Sequence, residues 1–235
     1  VELTPALVRL PPALDAATVA ALDRDVATAL ESAAPVVALA GASADTFCLG
    51  LAIDGAEPAS VQAFADVLAR LHAAGKPTLA VVDGRCIGGG MGLACACDWL
   101  VATERASFAL PELLWGLVPA IIWPVISDRM PGHVARQWTI AAHSRPVAEA
   151  VAAGLVDDLA ASAALESAVR RAVRMLTRLE PGALRHLRAW VRTSRHHDLP
   201  EALRLGAGLT AALAQQPIVK ERWRAFAEGG APWSV

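Results

Sequence analysis

Cys86-Ile87-Gly88-Gly89-Gly90-Met91-Gly92-Leu93 stands between a short apolar run, Leu79 to Val82, and an Ala- and Cys-rich segment that reaches Cys97. The run before it, closed by Asp83-Gly84, reads as a buried strand. The segment after it reads as a helix, so the glycines occupy a strand-to-helix junction. Glycine adopts backbone angles that other residues resist and lets a ligand approach the chain closely. A helix N-terminus adds unpaired N–H donors and a dipole that favours negative charge. Two phosphate-binding patterns are excluded by spacing. A dinucleotide fingerprint would need glycine at 93, where Leu93 stands, and no Lys-Ser or Lys-Thr follows for a P-loop. Taken alone, the run is satisfied by a tight turn with close helix packing.

Outward from this junction, helices and strands alternate. Asp15 or Thr18 can cap a helix whose apolar positions are Val19, Leu22, Val26 and Leu30. Val36 to Leu39 reads as a buried strand ending at Gly41-Ala42-Ser43. A helix with Phe64, Val67, Leu68 and Leu71 on one side is stopped by Gly75-Lys76-Pro77. Trp99 to Ala102 is a further strand. This order argues an α/β fold. Beyond Pro119 the chain reads as mostly helical. Leu165, Val169, Val173 and Leu176 line one helical face, which needs an apolar partner on a neighbouring subunit or over a pocket. Pro181-Gly182 breaks that helix, and another begins near Leu184.

Composition narrows the function. The 235 residues suffice for one α/β domain with a full core. Hydrophobic residues make up 55%, much of it alanine, and Asp98, Glu112, Pro119 and Pro124 interrupt the longest apolar stretches. No membrane span is expected. A net charge of −2 gives no reason to expect nucleic acid. Cys48, Cys86, Cys95 and Cys97 lack zinc-type spacing and read as buried reduced thiols of a cytoplasmic protein. Residues 1–12 carry no pattern of a secretion signal, although the first residue is Val, not Met.

A second turn, Phe47-Cys48-Leu49-Gly50-Leu51, also presents backbone N–H groups. Two such donors aimed at one oxygen would form an oxyanion hole. After Gly92 comes Pro111-Glu112-Leu113-Leu114-Trp115-Gly116-Leu117-Val118-Pro119. Glu112 is a lone carboxylate in an apolar stretch. Burial would raise its pKa and make it a base near neutral pH. Equally, a carboxylate after Pro111 serves a helix N-terminus without any catalysis.

Read together, these segments resemble the crotonase (enoyl-CoA hydratase/isomerase) superfamily. The resemblance rests on Phe47-Cys48-Leu49-Gly50, Lys76-Pro77 through Asp83-Gly84, Gly88 to Leu93, Cys97-Asp98, Ala106-Ser107-Phe108, Pro111-Glu112 with Gly116-Leu117, and Glu149-Ala150 with Gly154-Leu155-Val156-Asp157. It implies a ββα spiral core over 1–158 and a helical C-terminal region over 159–235 for trimerisation or pocket cover. The Leu51 and Gly89 N–H groups would hold a thioester oxygen, and Glu112 would act as base. Gly50, Gly88, Gly92 and Trp115 would lie on the substrate side. The family's first glutamate falls on Gly92, and Ala52 replaces an aspartate. A single remaining carboxylate points to subfamilies with one base, and Leu110 to Ala120, with Pro124 beyond and Gly92, resembles the dehydratases of polyketide β-branching. Such an enzyme dehydrates a 3-hydroxy-3-methylglutaryl chain on an acyl carrier protein. Gly92 would then leave room for the branch at C3.

No cofactor is implied beyond the phosphopantetheine of a carrier protein or CoA. The implied assembly is a homotrimer or a dimer of trimers. A Δ3,Δ2-enoyl-CoA isomerase, a methylglutaconyl-thioester decarboxylase and a silent thioester-binding protein are the competing readings. Arg129 or His133 could meet a distal carboxylate, or lie on a solvated surface. Arg170, Arg171, Arg174, Arg178, Arg185, Arg188, Arg192 and Arg195 form a solvated face or steer an acidic carrier. His196-His197 reads as a surface turn, not a metal site. Trp115 and Trp123 belong to the core or to an acyl pocket.

Overall fold

In the computed structural model, residues 4–52 and 57–234 are described. The chain lays down strands in pairs. β1 (Ala6–Leu10), β2 (Val37–Gly41), β4 (Thr78–Val82), β6 (Trp99–Thr103) and β9 (Asp158–Ala160) form a five-stranded sheet in the order β1-β2-β4-β6-β9, parallel throughout. β3 (Thr46–Cys48), β5 (Arg85–Ile87), β7 (Ser107–Ala109) and β8 (Arg145–Pro146) form a second sheet in that order, with only the last pair antiparallel. Helices α2 (Pro58–His72) and α3 (Gly89–Ala96) return the chain from the second sheet to the first. This is the ββα arrangement that the resemblance implies. The alternation read from the sequence had one strand per turn. The second strands are only three residues long, too short to show a period.

The large sheet is buried on both faces, and its strands divide their side chains by parity. Val37, Leu39, Ala80, Val82, Leu100 and Ala102 face the main core beside α1 (Ala16–Glu31) and α2. Ala38, Ala40, Leu79, Val81 and Val101 face Ala168, Ala172, Val173 and Leu176 of α7 (Leu165–Leu176). The apolar face of α7 therefore docks on the chain's own sheet. One compact unit spans 1–176 and another 177–235, so the first runs past the boundary expected at 158.

Local signals hold as read. The Asp15 carboxylate accepts the Thr18 N–H at 2.8 Å, and the Thr18 hydroxyl accepts the Asp15 N–H at 2.7 Å, closing a reciprocal cap on α1. The four cysteines are free and buried. Burial pushes the Cys48 thiol up to about 11 and those of Cys95 and Cys97 up to about 12, which leaves them protonated and inert at neutral pH.

The second unit holds α8 (Pro181–Ser194), α9 (Leu199–Ala214) and α10 (Pro217–Ala227), each with proline in its first turn. Asp198 caps α9 through the Glu201 N–H at 2.9 Å, which puts His196-His197 in the preceding turn. No helix among the described residues is long and apolar enough to cross a membrane.

One contact ties the second sheet to α3. A methyl group on Gly90 would stand 2.1 Å from the Cys48 carbonyl oxygen of β3, closer than backbone can yield. Gly90→Ala should therefore cost about 3 kcal/mol or more. The readout is the urea midpoint against wild type; an unchanged midpoint would show that α3 is not pressed onto β3.

Candidate active site

β3, β5 and β7 are neighbours in the second sheet and run parallel, with Cys48 beside Cys86 and Cys86 beside Phe108. Their carboxyl ends therefore open at one edge, where parallel sheets characteristically bind ligands. β3 leads into Gly50-Leu51, β5 into Gly88-Gly89, and β7 through Leu110-Pro111 into Glu112. A cavity of about 360 Å³ lies there, and Leu51, Gly88, Gly89, Glu112 and Trp115 all line it.

The two turns touch backbone to backbone. A methyl group on Gly50 would stand 2.5 Å from the Gly89 nitrogen, and one on Gly89 would stand 3.3 Å from the Leu51 nitrogen. Leu51 belongs to a bridge with Leu14, in which Leu14 N–H donates to Gly50 O at 2.8 Å and Ala52 N–H donates to Leu14 O at 2.7 Å. Those bonds use the groups on either side of Leu51 and leave its own N–H turned the other way. Gly89 opens α3, so its N–H has no partner within the helix. Gly88, at φ 53°, takes a left-handed turn anchored by its N–H on Ala109 O at 3.0 Å.

Glu112 opens a 3-10 turn (Glu112–Trp115) closed by left-handed Gly116. Its Oε1 would lie 3.0 Å from a methyl group on Gly88, so the bare backbone at 88 makes room for the carboxylate. Oε2 is buried and accepts no hydrogen bond from the described residues. Burial raises the Glu112 pKa above its ordinary 4.5, against a smaller opposing effect of its own backbone N–H. The remaining wall is hydrocarbon, from residues such as Val61, Phe64, Leu117 and Ile122.

Other expectations fall differently. Gly50 does not line the cavity; it brings Leu51 against Gly89. Gly92 does not line it either. A methyl group on Gly92 would stand 2.3 Å from Ile122 Cγ2, so the room expected there is already filled. Ile122 was not legible as a site residue, since nothing near it in the sequence marks it. Trp115 lines the cavity with 58% of its surface exposed, whereas Trp123 packs against the main core. Arg129 is neither a surface residue nor a substrate partner. Its guanidinium donates to Leu155 O at 3.1 Å, Cys97 O at 3.1 Å and Asp98 O at 3.2 Å, and pairs with Asp157. His133 is exposed in the first turn of α5 (Gly132–Ala141), away from the cavity.

The enoyl-CoA hydratase/isomerase family profile matches residues 11–234. The chain belongs to this family. Carnitinyl-CoA dehydratase of Salmonella arizonae is 30% identical over 141 residues, covering 58% of this chain and 53% of that protein. The 2,3-dehydroadipyl-CoA hydratase of Escherichia coli strain K12 is 34% identical over 166 residues, 70% of this chain and 65% of that protein. The alignments with the carnitinyl-CoA dehydratases thus span about half the length of those relatives. Among solved structures, Pseudomonas aeruginosa AtuE superposes with a TM-score of 0.83 at 27% identity, covering 99% of this chain and 97% of that one. An enoyl-CoA hydratase from Shewanella pealeana superposes with a TM-score of 0.85 at 20% identity, covering 98% and 93%, a likeness of fold alone.

Two measurements probe this family member's site. Gly92→Ala should cost about 1–3 kcal/mol because its methyl group meets Ile122, and most of that cost should vanish when the same change is made in Ile122→Ala. Equal costs in both backgrounds, read from denaturation midpoints, would contradict the contact. Glu112 has a folded-state pKa above its unfolded value of 4.5, so its favourable contribution is complete below pH 4.5 and lost as pH rises through the raised value. Glu112→Gln should therefore melt higher than wild type at pH 8, with the gain shrinking towards pH 4. A gain independent of pH would argue against a buried ionised carboxylate.

Proposed function

We propose that this protein dehydrates a 3-hydroxyacyl thioester through an enolate, with Glu112 as the sole acid–base group. One observation carries the reading: a half-buried carboxylate, its Oε2 without a donor among the described residues, lines the same cavity as Leu51 and Gly89 of two touching turns. Glu112 takes the C2 proton, and the electron pair moves onto the thioester oxygen between the Leu51 and Gly89 N–H groups. Each such donor typically lowers a barrier of this kind by about 3 kcal/mol. The enolate then collapses, the C3–O bond breaks, and the departing hydroxyl takes the proton back from Glu112 as water. The names of the relatives, a dehydratase and a hydratase acting on CoA thioesters, favour the same reaction class.

The acyl carrier is the phosphopantetheine arm of CoA or of a carrier protein. For the substrate, a 3-hydroxy-3-methylglutaryl chain is the narrower possibility. Its distal carboxylate needs a cation, and Glu112 is the only charged residue among the described cavity lining. That favours an acyl chain with an apolar end. A second reading, movement of a double bond from C3 to C2, is favoured by the hydrocarbon of Ile122 beside Gly92, where a second carboxylate is lacking. A homotrimer is part of the proposal. Leu114 and Val118, each 71% exposed, and Trp223 at 69% offer apolar surface for it.

The purified protein should convert 3-hydroxybutyryl-CoA to a product lighter by one water, followed by mass. Glu112→Gln should lose at least about a thousandfold in kcat/KM. Wild-type kcat/KM should fall as pH drops through a pKa above 4.5. Turnover of 3-hydroxy-3-methylglutaryl-carrier protein in preference to the CoA substrate would restore the narrower substrate. Full activity of Glu112→Gln would sink the mechanism.

A further inference from the structure

Ile122 is buried to 3% exposure and yet forms part of the cavity wall beside Glu112, Gly88 and Gly89. Gly92 follows Gly89 by three residues on α3, so the two lie on one helical face. On the thioester reading, an oxygen held at the Gly89 N–H would set the acyl chain against the wall that Ile122 forms. One turn on, Ile122 Cγ2 and Cβ would stand 2.3 Å and 2.9 Å from a methyl group on Gly92, and Leu68 Cδ1 of α2 only 3.6 Å from it.

The isoleucine cannot swing aside easily. Its carbonyl accepts the Ile126 N–H at 3.0 Å at the start of α4 (Trp123–Arg129). A β-branched side chain is also stiff at χ1. Stiff hydrocarbon, packed over Gly92 of α3, therefore forms the cavity wall beside Gly88, Gly89 and Glu112.

We infer that Ile122 is the specificity-determining residue of this site. It occupies the volume released by the glycine at 92 and admits acyl chains with a single substituent at C3, against chains branched there. The inference rests on the thioester reading of the cavity but not on the reaction performed. It also reverses the simplest expectation from Gly92, that a missing side chain makes space for a branch.

Equilibrium binding tests it without turnover. Crotonyl-CoA and 3-methylcrotonyl-CoA differ by one methyl group at C3, and a methyl group that meets a rigid pocket wall is worth about tenfold or more. Wild type should bind crotonyl-CoA at least about tenfold more tightly in titration calorimetry. Ile122→Ala should reduce the ratio to about threefold or less. Ile122→Leu keeps the volume but removes the β-branch, and should relax the ratio likewise, so the test survives if the alanine variant fails to fold. A wild-type ratio near one, a ratio unchanged in the folded variants, or no binding of either thioester would overturn the inference. Dehydration is read separately on 3-hydroxybutyryl-CoA. If turnover is absent while the binding ratio shifts as expected, the reaction assignment fails and the role of Ile122 stands.

Discussion

Two backbone turns that press on one another, Gly50 against Gly89 and the Cys48 carbonyl against Gly90, are the constraint on which the site depends. Neither contact tolerates a Cβ. Both follow from the pairing of three short parallel strands, which release the chain at the same edge of one sheet. The large sheet, packed on both faces, holds those strands in place through the helices that follow them.

The electrostatics follow from the same packing. Glu112 passes close to position 88, where a side chain would crowd its Oε1, and it arrives among hydrocarbon. Its buried oxygen has no donor among the described residues, so the charged form is penalised and the proton held more tightly. A carboxylate in that condition is a better base for a weakly acidic C–H than a solvated one. At position 92, where the resemblance implies a second carboxylate, this chain has a glycine covered by isoleucine. In the proposed mechanism one group both accepts and returns the proton.

Much of the framework was legible before any coordinates. Val19, Leu22 and Val26 gave the first helix, and the apolar runs at Val36 and Leu79 gave two buried strands, because period and burial are local signals. The order of the glycine turns and Glu112 carried the fold by resemblance and named Leu51, Gly88, Gly89, Glu112 and Trp115, which line the cavity, together with Gly50 and Gly92, which do not. What was not legible was tertiary. The three-residue strands of the second sheet carry no period. The α7 face read as needing an outside partner because its partner, the far face of the large sheet, lies distant in sequence. Arg129 read as a solvated surface residue or a partner for a distal carboxylate, yet three carbonyls and Asp157 hold it. Ile122 escaped notice because a buried isoleucine is ordinary until its methyl group is found over Gly92.

The central claim is that Glu112 moves the proton on C2 of a thioester whose oxygen sits between the Leu51 and Gly89 N–H groups. Butyryl-CoA has that proton and nothing at C3 to expel, so it isolates the first step. Proton NMR of butyryl-CoA in deuterium oxide with the protein should show the C2 signal fading at pH 8, with no fading in Glu112→Gln. Exchange at the same rate in Glu112→Gln, or none with wild type while butyryl-CoA is bound, would contradict the assignment.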